Sequence, residues 1–170
     1  MAGPEDSLDR IEWHLSRSED PILVILRGHL IIRRTRARSG STAVESYLRD
    51  ILDRVCRLPD ELQDARLTFH HVLTLVRAII GRQDESVWGF IKRLNEVRNK
   101  TAHHLEPGDL DEIIGSMVER LWEKDTPGLI GRDTPLGRLR RALIFTIGYL
   151  TAIRGAVGLR QAYEPPQGIS

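Results

Sequence analysis

The chain has 170 residues, 41% of them apolar and 29% charged, with a formal net charge of +1. This balance excludes an intrinsically disordered polymer and leaves room for one domain with a real core. A single cysteine, Cys56, excludes an intrachain disulfide and a cysteine-based zinc site.

Cys56 follows Val55 in a helical pattern and reads as a buried, inert thiol. Near-neutral charge neither selects nor excludes nucleic acid, because a local patch can act within a neutral total. The first twenty residues carry Glu5, Asp6, Asp9, Glu12 and Glu19 and hold no apolar signal segment. The longest uncharged run, Ala142 to Ile153, is bracketed by Arg140, Arg141 and Arg154 and is too short to span a bilayer. A cytoplasmic protein without a membrane partner is expected.

Helical spacing recurs along the chain and no alternating segment is bounded by tight hairpin turns, so the expected fold is all-α. Residues 1–6 read as a flexible tail. Ser7 caps a first helix to about Ser18, with Leu8, Ile11 and Leu15 on one side. Pro21 opens a second helix to about Arg36 through Ile22, Ile25, Leu26, His29 and Leu30. Ser39-Gly40-Ser41 breaks the pattern.

Thr42 begins a helix with the stripe Val44, Tyr47, Leu48, Ile51, Leu52 and Val55, ended by Leu58-Pro59. Asp60 is a candidate cap for a short turn to Ala65. Thr68 caps a helix from Phe69 to Ile80, whose buried side is expected at Val72, Leu75, Val76 and Ile79, and Gly81 stops it. Asp84 or Ser86 starts the next helix, with Val87, Phe90 or Ile91, Leu94, Val97 and Leu105 inward. Pro107-Gly108 is expected to end that helix, and Asp109 to cap another from Leu110 to about Lys124. After a loop from Thr126 to Pro135, a long helix runs to about Leu159. Its Gly148, Gly155 and Gly158 would permit a close helix contact, within the bundle or with a second subunit. Residues 161–170 read as a second flexible tail.

Chemistry concentrates in Asn95-Glu96-Val97-Arg98-Asn99-Lys100-Thr101-Ala102-His103-His104. Asn95, Asn99 and His103, four apart, form one helical ridge that borders the apolar face. Arg98 and His103 diverge by about 140° on a straight helix, so a shared ligand needs long reach, a frayed end or a second subunit. The residue types suit phosphodiester cleavage in RNA. An unperturbed imidazole changes charge near neutrality, so His103 can act as general base or acid. Arg98 can grip a phosphate bidentately and stabilise the charge that develops on it. Asn99 or Asn95 can orient the histidine or a substrate oxygen. The same residues also suit a structural role: bridging by the asparagines, an ion pair of Arg98 with Glu61 or Glu119, and His103 as a cation at a helix C-terminus.

Arg98-Asn99-Lys100-Thr101-Ala102-His103 resembles the arginine–histidine motif of HEPN domains, with four residues between the two and a polar residue directly after the arginine. The wider run Leu94-Asn95-x-x-Arg98-Asn99-x-x-Ala102-His103 is similar to proteins of the mannitol operon repressor family, HEPN relatives used as regulators. The resemblance implies an α-helical bundle over residues 7–160 and a homodimer in which two motif copies face one cleft. It implies a metal-independent endoribonuclease, often a toxin with a cognate antitoxin or a phage-defence component, with Arg98 and His103 catalytic and Asn99 supporting. It also allows a non-catalytic regulatory or interaction protein on the same scaffold.

Arg33, Arg34, Arg36 and Arg38, with Arg27 nearby, form the densest basic cluster and are candidates for RNA-backbone contacts, or a solvated helix end. His70 and His71 with His103 and His104 lack metal-ligand spacing, so neither metal nor cofactor is expected. Trp13, Trp88 and Trp122 read as core or interface anchors. Glu106, Asp109, Asp111 and Glu112 make an acidic patch after the motif that would repel RNA.

Overall fold

Apolar residues at helical spacing fold the described chain into helices. The structure, a computed structural model, describes residues 24–25, 43–81, 84–101, 107–122 and 134–163. Among these there are six helices and no strand: α1 (Ala43–Val55), α2 (Pro59–Asp64), α3 (Phe69–Ile80), α4 (Glu85–Thr101), α5 (Pro107–Trp122) and α6 (Pro135–Tyr163). The expected helix at Ser7–Ser18 and most of that at Pro21–Arg36 lie outside the described residues. Val24 and Ile25 are helical and fully buried.

α1 buries the stripe read from its sequence, from Val44 through Tyr47, Leu48 and Ile51 to Leu52. Its outer side is charged. Arg49 pairs with Glu45 at 2.8 Å and also donates to the Leu67 carbonyl at 2.7 Å, which ties α1 to the turn before α3. Cys56, expected to be buried, is half-exposed, because it lies just past the last turn of α1.

α2 begins two residues earlier than expected. Leu58 is its N-cap and Pro59 its first residue, where a missing N–H is harmless, so Asp60 falls inside the first turn. Thr68 caps α3 as expected. Its hydroxyl accepts from the His71 N–H, and His71 Nδ1 accepts from the Thr68 N–H. Gly81 closes α3 at φ 93°, a conformation open to glycine, with its N–H on the Arg77 carbonyl. The buried side of α3 differs from expectation: Val72, Leu73 and Val76 face the core, while Leu75 and Ile79 are 37% and 51% exposed. α3 is apolar almost all round, so periodicity alone does not fix which side turns inward.

Pro107 and Gly108, expected to end the preceding helix, instead open α5. Proline is favoured at the first helical position, and its place there puts Asp109 in the first turn rather than at the cap. α5 buries Leu110, Ile114, Met117, Val118 and Leu121. Thr134 caps α6, its hydroxyl accepting from the Gly137 N–H at 3.1 Å. α6 runs to Tyr163, a turn beyond the expected end. Thr146, fully buried within it, returns its hydroxyl to the Ala142 carbonyl at 2.7 Å.

The helices neighbour one another in the order α3, α1, α6, α5, α4, and α4 returns to α3 through the short connection at 81–84. They enclose one apolar core that includes Val24 and Ile25. α1 and α6 run parallel: Tyr47 and Asp50 meet Arg154, and Arg54, one turn on, approaches Gly158. A side chain at Gly158 would meet the Arg54 guanidinium at 3.2 Å, whereas one at Gly148 or Gly155 would meet nothing within 4 Å. The close helix contact expected at these glycines is therefore made within the chain only at Gly158.

α4 is fixed at its start. Trp88 is fully buried and meets Tyr149 of α6 edge-on, with ring centroids 5.9 Å apart. The Tyr149 hydroxyl donates to the Asp84 carboxylate. Asp84 adopts φ 57°, and its carbonyl accepts from the N–H groups of Val87 and Trp88. Arg77 at the end of α3 grips both oxygens of Glu85 at 2.8 and 2.9 Å.

Two predictions follow from this packing. Gly155→Ala in the exposed interior of α6 should stabilise the fold by about 1 kcal/mol, read as a higher melting temperature, since a methyl there finds open space and favours helix. Burial and the hydrogen bond to Asp84 push the Tyr149 pKa up to about 12. This contribution to stability is full below the ordinary tyrosine range near 10 and is lost as pH rises through 12. Alkaline titration of phenolate absorbance should show one step near 12 that Tyr149→Phe removes.

Candidate functional site

α4 carries the motif, and its burial pattern sets the direction of each side chain. Val87, Ile91 and Leu94 are buried at i, i+4 and i+7, and Arg98 is the next residue on that ridge, at i+11. Arg98 is half-buried, so the apolar ridge of α4 ends in a guanidinium. Arg98 and Lys100 also stand in the last described turn, where the helix dipole favours cations.

Asn95 is half-buried beside this ridge. Its carboxamide oxygen is buried and has no hydrogen-bond partner among the described residues. A buried acceptor is stable only when a donor meets it, from solvent, from the rest of the chain or from a ligand. Asn99, one turn on, is exposed. The outer side of α4 is solvated: Lys92, Arg93 and Lys100 are exposed, and Arg93 pairs with Glu96 at 2.8 Å. Asn95 thus borders the apolar face as its sequence spacing suggests, and Asn99 lies nearer solvent.

His103 and His104 fall in the stretch 102–106 between α4 and α5, outside the described residues. Arg33, Arg34, Arg36 and Arg38 also lie outside the described residues. Arg98 and Asn99 are thus the described members of the expected site, and Asn95 adds to them a buried oxygen that spacing alone does not reveal. His70 and His71 are exposed at the start of α3, where His71 serves the cap. No group of three or more potential metal ligands occurs among the described residues.

A second polar group lies on α1. Asp50 binds both Arg54 and Arg154, and Arg154 also stands over the Tyr47 ring at 5.9 Å. Asp53, one turn along, has its pKa raised by partial burial and by the charges of Asp50 and Asp60, against a lowering influence from Arg49. The arrangement is a helix-to-helix clamp between α1 and α6.

No family model, curated protein or solved structure matches the chain. No described helix is long and apolar enough to cross a membrane.

A raised pKa means that the folded state holds the Asp53 proton more tightly than the unfolded chain does. Its ionised carboxylate therefore opposes folding, and stability falls as pH rises through the shifted value. Asp53→Asn should raise the melting temperature at pH 7 and leave it unchanged at pH 3, where both states are protonated.

Proposed function

We propose that the chain is a metal-independent endoribonuclease of the HEPN type, working as a homodimer in a toxin–antitoxin or defence system. The observation that carries the reading is the position of Arg98. A guanidinium that prolongs a buried ridge is held in direction by its neighbours and partly withdrawn from water, where its attraction for a phosphate is strengthened. Beside it stands the orphan oxygen of Asn95, able to take a hydrogen bond from an imidazole N–H or a ribose hydroxyl.

In this scheme His103 removes the proton from a ribose 2′-hydroxyl, and the 2′-oxygen attacks the adjacent phosphorus. The bond to the 5′-oxygen breaks, that oxygen takes a proton, and a 2′,3′-cyclic phosphate remains. Arg98 neutralises the charge that grows on the non-bridging oxygens, and Asn99 steadies the substrate or the histidine. A two-fold pair of chains would bring an Arg98 and a His103 from different copies to one phosphate and remove the angular conflict of a single helix.

A second reading is a non-catalytic regulatory or interaction protein on the same scaffold, and the exposed Leu75 and Ile79 of α3 favour it by offering an apolar contact. Incubation with RNA in EDTA separates the two. The nuclease should release 2′,3′-cyclic phosphate ends, and Arg98→Ala or His103→Ala should lower the rate by at least about a hundredfold with the helical fold intact. Cleavage that persists in both variants, or is absent from the wild-type protein, sinks the assignment. Asn95→Ala should slow cleavage while leaving the melting temperature unchanged or higher, because it deletes an unsatisfied buried acceptor.

A further inference from the structure

We propose that the outer face of α3, built on Leu75, Ala78 and Ile79, is a contact surface for a second copy of this chain, which docks there through its own α3 run antiparallel. The contact rests on neither functional reading.

Burial is the first argument. Val72, Leu73 and Val76 already seat α3 in the core, yet Leu75 and Ile79 are 37% and 51% exposed. These two lie at i+3 and i+7 from Val72, so they carry the buried ridge out onto the surface. Thr74 and Ala78, both exposed, occupy the strip beside them.

Charge selects the occupant. With histidines neutral, α3 carries one formal charge in 12 residues, Arg77, and both carboxylate oxygens of Glu85 engage it at 2.8 and 2.9 Å. α1, α2, α4 and α5 each turn charged groups outward, as Asp53, Asp60, Lys92 and Asp111 do. A solvated helix ordinarily carries charge on that side, and α3 does not. A charged partner would surrender hydration on this face and find no counter-charge. A neutral face accepts a neutral one, and every copy of the chain presents one at equal concentration.

Shape sets the orientation. Leu75 and Ile79 stand on one flank of the face, Thr74 and Ala78 on the other. A two-fold axis perpendicular to α3, level with residues 76 and 77, reverses the helix but keeps each flank on its own side. It gathers Leu75 and Ile79 of both copies into one four-residue cluster, while the small residues opposite let the helix axes approach. α3 is about 18 Å long, so the pair buries on the order of 700 Å² in total, short of the about 1,200 Å² of a stable complex. The association is therefore weak and reversible, with a dissociation constant on the order of 10 to 100 μM. It is separate from the pairing proposed around Arg98. α3 packs on α1 and reaches α4 through Arg77 and Glu85, at the end of α4 opposite to Arg98.

Sedimentation of the full chain between about 1 and 200 μM should show the mean mass rising through one doubling. Leu75→Lys and Ile79→Glu should each weaken that step at least about tenfold, since like charges then meet across the axis. Both positions face water, so the helical signal and the melting temperature should hold. Mixed one to one, the two variants should pair with each other, because the cluster sets the introduced lysine beside the introduced glutamate, and about 1 M salt should undo that rescue. A wild-type mass that does not change over this range overturns the proposal. So does a concentration-dependent step that both variants keep, which would put the contact on another face, and so does failure of the mixed variants to pair. If the wild type doubles through α3 but cleaves no RNA, the endoribonuclease reading falls and this contact stands.

Discussion

The junction of Asp84, Trp88 and Tyr149 sets the rotation of α4 about its own axis. Trp88 inserts into the core, its ring edge-on to Tyr149, and the Tyr149 hydroxyl holds the carboxylate of the residue that starts the helix. A slip of one residue in this seating would turn every later side chain of α4 by about 100°. Ten residues on, almost three turns away, the same seating puts Arg98 at the end of the buried ridge rather than in bulk water. The position of a candidate catalytic group is thus decided about 15 Å from it, by an aromatic contact and one hydrogen bond.

Local signals were readable where a short stretch decides the outcome by itself. The stripe of α1, the Thr68 cap and the Gly81 stop depend on residues within a few positions, and each stands where the sequence puts it. Ambiguity enters where a residue serves two ends. Pro107 can stop one helix or start the next, and the gain at the first helical position decides for α5. α3 offers apolar residues on both sides, so its seating against α1 selects Leu73 over Leu75.

The candidate site was legible in part. The ridge Val87, Ile91, Leu94, Arg98 can be counted from the spacing, and a count carried one step beyond the apolar residues reaches the arginine. The buried oxygen of Asn95 cannot be counted, because spacing gives the side of a helix and not the accessibility of one atom. Tyr149 and Asp84 lie far apart in the chain, and nothing near either announces the other.

The parallel seating of α1 against α6 has a consequence for synthesis. Asp50 and Arg154, roughly a hundred positions apart, belong to the same clamp, so the first described helix finds its main cover in the last. While the chain is being made, the stripe from Val44 to Leu52 can pack on α3 early but must wait for α6 before its burial is complete. At ordinary elongation rates that interval lasts about 5 to 20 seconds, a window in which the nascent protein presents a half-covered apolar helix to chaperones and to other nascent chains.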